Sequence, residues 1–325
     1  MQKVLTNKEQ TLLEHLFKMK EDKLLANLDV FLRRYYDKVY TTNEFIYAVG
    51  EQPVALLAHL DTVFAHPPKN IYYDERKGVM WSPEGLGADD RAGVFAIMKI
   101  IQSGYRPSII FTTGEESGGI GARIFVNKFA TPASDLNYLI QLDRRGAVDA
   151  VFYNCANDEF TKYVESYGFI ENWGTFTDIS TICPRWKIAG VNLSIGYEDE
   201  HSTSETFHIN HFFATVDKVK NMIDDCGELD KPFEYIYDYS LYDPKSWWSM
   251  SEWMMCDSCK QGFLEHEIFP TKTKEGKIIF LCPDCLVEKA NWCNVCGEPF
   301  LTYGEKSKVC HQCAKEGKGN HAKLC

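Results

Sequence analysis

Two kinds of apolar spacing follow one another along the chain. Between residues 7 and 36, leucine and phenylalanine recur at intervals of three and four residues, which is the spacing of helices with one buried face. From residue 45 onward, short apolar runs bounded by turn residues predict buried strands instead. The predicted strands cover residues 45–49, 54–58, 108–113 and 136–142, and a hairpin is predicted over 71–82.

Helices are predicted between and after these strands, over residues 93–101, 120–129 and 204–225. Alternating strands and helices are typical of α/β domains, so we predict an α/β fold with a mixed, mostly parallel sheet and helices on both faces. Functional sites in such sheets lie at the carboxyl ends of strands. Potential metal ligands follow the predicted strands at that edge.

Charge and composition narrow the class of protein. The chain has 325 residues and a net charge of −11, which disfavours general affinity for nucleic acid. Residues 251–325 hold 10 Lys and 10 Asp or Glu, so the first 250 residues carry the whole negative excess. The first residues lack the apolar core of a signal peptide, and no apolar run is long enough to span a bilayer. We therefore expect a cytoplasmic protein without a membrane or nucleic-acid partner.

Histidines and carboxylates occur in five fragments, each near an apolar strand-like run. A single fragment of this kind usually lies on a solvated surface, but five in one order indicate a hydrolytic site with two metal ions around one water. The fragments are His59-Leu-Asp61, the run from Gly87 to Gly93, Gly114-Glu115-Glu116-Ser-Gly, Asp143, and the run from Glu200 to Glu205.

The spacing of the first ligands suggests how they work together. His59 and Asp61 are two residues apart, so on a strand they face the same side, where Asp61 can fix the tautomer of a metal-bound imidazole. Asp89 can bridge two ions through its two oxygens. Glycines at 85, 87 and 93 allow the tight backbone that brings Asp89 in.

The remaining ligands complete the pair of ions. Glu115 and Glu116 are adjacent, so their side chains diverge, and one can bind metal while the other acts as general base. Asp143 and His201 complete the two coordination spheres. Two ions about 3.5–4 Å apart would lower the pKa of the water and stabilise a tetrahedral intermediate.

These motifs resemble those of the co-catalytic zinc exopeptidases, a clan that includes bacterial leucyl aminopeptidases, tetrahedral aminopeptidases and glutamate carboxypeptidases. The resemblance covers about residues 40–225, and the most specific matches are to the tetrahedral aminopeptidases. The matching motifs are Asp-Asp-Arg-Ala-Gly at 89–93, Glu-Glu-Ser-Gly-Gly-Ile-Gly-Ala at 115–122, Thr177-Asp178 and His201-Ser202.

The resemblance implies a role for each ligand. One ion would take His59 and Asp143, the other Glu116 and His201, with Asp89 bridging. Glu115 would be the base, and the Asp89–Asp90 peptide would be cis. The choice of Asp89 rather than Asp90 as the bridge rests on counting four residues back from Gly93. Zn²⁺ is the expected metal, with Mn²⁺ or Co²⁺ possible at carboxylate-rich sites.

Three further residues are candidates for substrate binding. Arg144 and Arg145 directly follow Asp143. Two interpretations stay open for this pair: a structural ion pair, or a bidentate grip on a substrate carboxylate. The third candidate is Asp178, through the Thr177-Asp178 match.

The chain departs from its larger relatives in length. Only 29 residues separate His59 from Asp89, and 57 separate Asp143 from His201. Both intervals are too short for the domains that relatives insert at these points. We therefore expect a compact catalytic domain over 1–227, an architecture that disfavours the shell-like assembly of the tetrahedral enzymes and leaves the oligomeric state open.

Eight of the 12 cysteines form four Cys-x-x-Cys pairs, separated by 22, 7 and 13 residues. This regular spacing predicts two structural zinc sites of four thiolates each, in a double zinc-ribbon domain over 251–325 that follows an aromatic connecting segment over 228–250. Sequential and cross-braced pairing both remain open. The pairs are Cys256 with Cys259, Cys282 with Cys285, Cys293 with Cys296, and Cys310 with Cys313.

The sequence therefore predicts a metallopeptidase with two catalytic and two structural zinc ions, acting on small peptides as an aminopeptidase or dipeptidase. Two alternatives remain: a deacylase of small N-acyl compounds, and an inactive peptidase fold that serves as a zinc-ribbon adaptor. The complete ligand set and the intact Glu115 argue against the adaptor. The cysteine module lacks arginine, so a protein partner or self-association fits it better than nucleic acid.

Overall fold

A computed structural model of the chain describes residues 3–229, 231–235, 253–264, 268–273, 278–295, 299–301 and 308–315. The chain divides into two compact units, Met1–Asp238 and Tyr239–Cys325. The sequence predicted three segments, and most of the connecting segment, 228–250, lies outside the described residues. The three-segment division therefore stays a prediction. No helix in the described part of the chain is long and apolar enough to cross a membrane.

The first unit contains two sheets. The larger has eight strands in the order β1-β2-β6-β3-β7-β10-β8-β9, and the smaller has four in the order β11-β12-β5-β4. The strands are β1 Val39–Thr41, β2 Phe45–Ala48, β3 Gln52–His59, β4 Tyr72–Asp74, β5 Val79–Trp81, β6 Pro107–Thr112, β7 Tyr138–Arg144, β8 Asp149–Val151, β9 Ile170–Asn172, β10 Gly190–Ser194, β11 Tyr197–Glu198 and β12 Thr206–His208.

The four central strands, β6, β3, β7 and β10, run parallel. The antiparallel pairs are β1 with β2, β2 with β6 and β8 with β10, and β9 pairs parallel with β8. This arrangement confirms the predicted mixed, mostly parallel sheet. Since the central strands share one direction, their carboxyl ends meet at one edge. His59 is the last residue of β3, and Asp143 lies within the last two residues of β7.

Helices cover both faces of the large sheet, as predicted. Side chains on β3 alternate between two cores: Leu56 packs in the core that contains Phe95 and Phe212, and Leu57 packs in the core that contains Phe125. Burial on both faces explains why the strand sequence is apolar throughout rather than alternating. The helices are α1 Asn7–Lys18, α2 Glu21–Leu32, α3 Ala88–Gln102, α4 Ile120–Lys128, α5 Asp158–Ser166, α6 Ile179–Trp186 and α7 Ile209–Asp225.

The apolar repeat over 7–36 folds as two helices with a break at Met19 and Lys20, which both have extended backbone angles. The break has a tertiary cause. The Arg91 guanidinium donates hydrogen bonds of 3.0 Å to the carbonyl oxygens of Leu16 and Met19, so α1 ends on this side chain.

The prediction of a helix over 204–225 is wrong at its beginning. Residues Thr206–His208 form β12, which pairs with β5, and α7 begins at Ile209. Glu205 explains the difference, because its carboxylate accepts main-chain N–H groups from another segment. A distant contact of this kind leaves no mark on local apolar spacing.

The second unit consists of short elements around cysteine clusters. Its strands pair as β13 with β14, and as a four-stranded sheet in the order β16-β15-β18-β17. The elements are β13 Trp253–Met255, β14 Gly262–Leu264, β15 Phe269–Lys272, β16 Ile278–Leu281, α8 Pro283–Lys289, β17 Ala290–Trp292, β18 Pro299–Leu301 and α9 His311–Lys315. The small apolar clusters are built around the cysteines themselves.

Candidate metal centre

His59 lies at the carboxyl end of β3 and is only 1% exposed. Its Nε2 is 3.0 Å from Asp89 Oδ1 and 3.4 Å from Asp143 Oδ1, and its Nδ1 is 3.3 Å from Asp61 Oδ1. The ring therefore presents one nitrogen to the carboxylate cluster and the other to Asp61. This is the arrangement in which a carboxylate orients a metal-bound imidazole.

Asp89 joins the two halves of the site. Its Oδ1 lies 3.0 Å from His59 Nε2, and its Oδ2 lies 3.1 Å from His201 Nε2. Each oxygen of one carboxylate thus faces a different imidazole, as a residue that bridges two ions must do. The Asp89–Asp90 peptide is cis, as the resemblance implied.

Asp90 has a different task from its neighbour. A carboxylate oxygen of Asp90 comes within 4.8 Å of ligand atoms of His59 and Asp143. However, Asp90 Oδ2 accepts the main-chain N–H of His59 at 3.1 Å, and its Oδ1 accepts that of Gly93 at 3.0 Å. Both oxygens of Asp90 therefore fasten the loop to β3 and to its own helix, whereas those of Asp89 face the two histidines.

Gly93 is required by this packing. A Cβ atom at this position would lie 2.3 Å from the carbonyl oxygen of Leu142 and 2.5 Å from Asp90 Oδ1. Gly87 adopts a left-handed φ of 71° at the start of the same loop. These two glycines support the tight backbone that the sequence predicted around Asp89.

Glu115 and Glu116 lie in the loop after β6. Asp61 fixes this loop, because its two oxygens accept the main-chain N–H groups of Glu115 at 3.2 Å and Glu116 at 3.1 Å. Glu116 Oε1 is 3.1 Å from His201 Nε2. Glu116 therefore lies on the His201 side of the cluster, and no described ion pair joins Glu115 to either histidine.

Asp143 is held by donors on both oxygens. Its Oδ1 accepts the hydroxyl of Tyr197 at 3.1 Å, and its Oδ2 accepts Gln141 Nε2 at 2.9 Å and Thr177 Oγ1 at 3.0 Å. Hydrogen bonds of this kind orient a carboxylate ligand. The sequence analysis assigned no role to Tyr197 or Gln141.

His201 stands in the loop between β11 and β12. Its φ of 63° is in the left-handed region, and its side chain is 51% exposed. The two histidines of the site thus differ in exposure and in backbone: His59 is buried on a regular strand, and His201 is half exposed on a loop.

Glu205, at the end of the same loop, is fully buried. It accepts the main-chain N–H of Gly87 at 2.6 Å and of Asp89 at 3.0 Å, which ties the His201 loop to the bridging carboxylate. Glu205 was quoted in the sequence motif without a role. The sequence showed only that Glu205 follows His201 by four residues. That spacing does not indicate a contact with Gly87 or Asp89.

The electrostatics of the site fit a cluster of acids that requires cations. Burial opposes charge on His59, but the charge of Asp143 and hydrogen bonds to Asp143, Asp61 and Asp89 outweigh it, so the pKa of His59 is raised well above its usual value. Hydrogen bonds to Asp89 and Glu116 raise the pKa of His201 to about 11.

The acids of the cluster also shift the pKa of Glu115. Burial, together with the negative charges of Asp143, Asp178 and Asp89, raises the pKa of Glu115 well above its usual value, although His59 acts in the opposite direction. A raised pKa makes a carboxylate a better proton acceptor near neutral pH.

The structure brings together all five predicted catalytic ligands with Asp61 and Glu115. Two imidazoles and three carboxylates form a donor set suited to Zn²⁺ and compatible with Mn²⁺ or Co²⁺. The buried Nδ1 of His59 and Oε1 of Glu116 lack well-oriented hydrogen bonds in the described part of the chain. The residues present thus fit a pair of divalent ions. The ligands are His59, Asp89, Glu116, Asp143 and His201.

The three candidate substrate-binding residues are placed differently. Arg144 Nε lies 3.6 Å from Asp149 Oδ2, and Arg145 Nη1 lies 3.1 Å from Glu200 Oε1. Asp178 is fully buried and accepts a hydrogen bond from the Thr112 hydroxyl. The negative charge of Asp178 is one of those that raise the pKa of Glu115, and a role of Asp178 in substrate binding stays a prediction.

The cysteines of the second unit form two groups. Sγ atoms of Cys256, Cys259, Cys282 and Cys285 lie within 4.8 Å of one another, and so do those of Cys293, Cys310 and Cys313. Cys296, expected to complete the second group, lies outside the described residues. The first group contains the first two Cys-x-x-Cys pairs, which is the sequential arrangement and not the cross-braced one.

Comparisons with known proteins agree with this geometry. Residues 46–168, a little over a third of the chain, match the sequence profile of Peptidase family M28. A search of curated protein sequences finds no match.

Several solved structures share the fold at low sequence identity. Aminopeptidase PepT from Bacillus cereus is 14% identical over 69% of this chain and 99% of its own, with a TM-score of 0.51. A tripeptidase from Staphylococcus aureus is 14% identical over 70% and 100%, with a TM-score of 0.56. A TET aminopeptidase from a marine sediment thaumarchaeote is 12% identical over 67% and 97%, with a TM-score of 0.50.

The fold of the first unit is thus that of known aminopeptidases, and the profile match covers His59 through Asp143. These findings confirm the resemblance to the co-catalytic zinc exopeptidase clan that the sequence motifs indicated.

Proposed function

We propose that this protein is a metal-dependent exopeptidase that hydrolyses small peptides, as an aminopeptidase or dipeptidase, with two divalent ions in its active site. The observation that carries the proposal is the position of Asp89, whose two oxygens lie 3.0 and 3.1 Å from imidazole nitrogens of His59 and His201. A carboxylate between two histidines, with a further carboxylate beside each, is the arrangement of a two-ion hydrolase.

The proposed division of ligands follows the distances. His59 and Asp143 would hold one ion, Glu116 and His201 the other, and Asp89 both. Zinc is the proposed metal, because imidazole and carboxylate are among its common ligands. Such ions, when bound, polarise a peptide carbonyl and lower the pKa of a water molecule.

The residues of the chain would supply the proton transfers. Glu115 accepts a proton from the attacking water and delivers it to the nitrogen of the leaving amine. Asp61 positions this base, because it holds the main chain at both Glu115 and Glu116. Asp61 also faces His59 Nδ1, so one side chain aligns the base and a ligand together.

The relatives support exopeptidase activity over endopeptidase activity. The structures that share this fold with TM-scores of 0.51 and 0.56 are titled an aminopeptidase and a tripeptidase. Profile similarity to Peptidase family M28 over 46–168 supports peptide hydrolysis in the same way.

The cysteine groups would hold two structural zinc ions, the second completed by Cys296. Paired thiols of this kind are kept reduced in the cytoplasm, where we propose the protein resides. The zinc-ribbon unit is proposed to contact a protein partner or a second copy of the chain. Arg144 and Arg145 remain proposed contacts for a substrate carboxylate, since Arg145 is 52% exposed and can leave Glu200.

The proposal is tested by incubating the full chain with a mixed library of di- and tripeptides and N-acyl amino acids, followed by mass spectrometry. We expect shortened peptides, loss of activity with a chelator, and recovery with Zn²⁺, Mn²⁺ or Co²⁺. Glu115→Gln should be inactive, whereas Glu171→Gln, on the exposed strand β9, serves as the matched control.

Other outcomes would redirect the assignment. Cleavage of N-acyl amino acids with intact peptides would identify a deacylase. Absence of any metal-dependent cleavage, with two ions bound at the site by elemental analysis, would leave the inactive adaptor.

A further inference from the structure

The turn between α1 and α2 forms one wall of the active-site cleft. Arg91, two residues after the bridging Asp89, donates its guanidinium to the carbonyl oxygens of Leu16 and Met19 at 3.0 Å. These two hydrogen bonds anchor the turn at Met19 and Lys20 to the segment that carries Asp89. Glu21 follows directly as the first residue of α2.

Glu21 lies where two cavities meet. The first has a volume of about 580 Å³ and is lined by Glu21, Asp61 and Arg91 among other residues. The second, also about 580 Å³, is lined by Glu21, Asp61 and Glu116. Because Glu116 is a proposed metal ligand, the second cavity opens onto the catalytic site and Glu21 faces it.

The carboxylate of Glu21 has no ion pair within 4.0 Å and no hydrogen bond from any residue in the described part of the chain. Its surroundings disfavour its charge: burial and the negative charge of Asp61 raise its pKa, with Arg91 and His59 opposing them. Arg91 is committed to two carbonyl oxygens. A cation brought in by a ligand would therefore be stabilised at Glu21.

The first cavity combines apolar side chains with acids. Two of its acids, Glu21 and Asp61, also line the second cavity. Such walls suit the methylene stem of lysine or arginine, with the charge at the polar end. The apolar lining consists of Phe17, Met19, Leu25, Phe64, Pro67 and Leu86.

Arg91 lines the same cavity but does not neutralise Glu21 by direct contact. It is 4% exposed, and its guanidinium donates to the carbonyl oxygens of Leu16 and Met19. The cavity thus presents Glu21 as a carboxylate without an ion pair in the described part of the chain.

We propose that Glu21 is a specificity-determining residue that binds the cationic side chain of a lysine or arginine at the amino terminus of the substrate. This inference rests on the proposed peptidase function and names its substrate class. The other charged groups on the first cavity are Lys20 and Asp22, both exposed on the same turn. The negative charge of the first 250 residues also raises the local concentration of cationic peptides.

The test compares lysyl-alanine with norleucyl-alanine, whose side chain has nearly the same length and no charge. The full-length, metal-loaded protein should have a kcat/KM about 10–100-fold higher for the lysyl substrate, the range expected for a hydrogen bond to a charged group. Glu21→Gln should reduce this ratio at least about tenfold. Glu171→Gln, an acid on the exposed strand β9 that lines neither cavity, should keep the ratio of the wild type.

A binding measurement separates this inference from the proposed function. Calorimetry with L-lysinamide and L-norleucinamide should give the same ratio of Kd values in the wild type and the same loss in Glu21→Gln. If neither dipeptide is cleaved but lysinamide binding depends on Glu21, the peptidase function fails and the binding site stands. If cleavage occurs with an equal ratio in wild type and Glu21→Gln, the role of Glu21 is overturned.

Discussion

The two halves of the candidate metal centre are built in different ways. His59 and Asp143 stand on neighbouring parallel strands, with side chains only 1% and 7% exposed. Glu116 and His201 stand on loops, and the His201 side chain is 51% exposed. The strand half is held by the core of the protein, and the loop half is held by a few hydrogen bonds. The comparison teaches that the two halves of one site can depend on different parts of the fold: the buried sheet on one side and loop hydrogen bonds on the other.

Substitution of Glu115, the proposed base, or of Glu116, the proposed loop ligand, should have the largest effect on activity. Glu115→Gln should keep both ions and lower kcat by about 10²–10⁴-fold, because an amide cannot accept the proton. Glu116→Gln should instead release the ion on the His201 side. Kinetics combined with elemental analysis of each variant checks this, and metal loss in Glu115→Gln with metal retention in Glu116→Gln would reverse the two roles.

The two histidines should differ in their effect on stability. In the metal-free protein, His59 is the buried cation among Asp61, Asp89 and Asp143, so His59→Ala should lower the free energy of unfolding by about 3–5 kcal/mol. His201 is half exposed, so His201→Ala should cost about 1 kcal/mol or less. Urea unfolding of both metal-free variants decides the matter, and equal losses would mean that burial does not distinguish the two halves.

Glu205 tests whether the loop half depends on its tether. Glu205→Gln removes one of the two acceptors that hold the main chain at Gly87 and Asp89. We expect metal affinity to fall about 10–100-fold, as for other residues that orient ligands. Competition with a chromogenic chelator measures the change. Glu198→Gln, on β11 outside the ligand set, is the control and should leave affinity unaltered.

The same comparison explains which parts of the fold could be predicted from the sequence. Apolar runs bounded by turn residues predicted β3, β6 and β7, and with them His59 and Asp143, because burial on both faces dictates such runs. The loop ligands Glu116 and His201 came from motifs alone, since a loop has no periodicity.

What the sequence missed consists of contacts between distant segments. Glu205 contacts Gly87 across more than a hundred residues, and Arg91 ends α1 in the same manner. Short strands such as β9 and β11 were also missed, because two or three residues are too few for a pattern. Asp178 was found by its motif, but its burial depended on packing that no local signal records.

The adjacent residues Arg144 and Arg145 also differ in how far they are buried. The Arg144 side chain is 17% exposed and pairs with Asp149, whereas that of Arg145 is 52% exposed and pairs with Glu200, next to His201. Its exposure makes Arg145 the proposed contact for a substrate carboxylate, which would replace Glu200, and Lys could not form the same two parallel hydrogen bonds. Arg145→Lys should lower kcat/KM about two- to fivefold for a free dipeptide, the range of an exposed ion pair, and leave its C-terminal amide unaffected. Arg144→Lys should treat both substrates alike. Kinetics on the acid and the amide decide between these roles, and equal losses on both substrates in Arg145→Lys would make Arg145 a structural partner of the His201 loop.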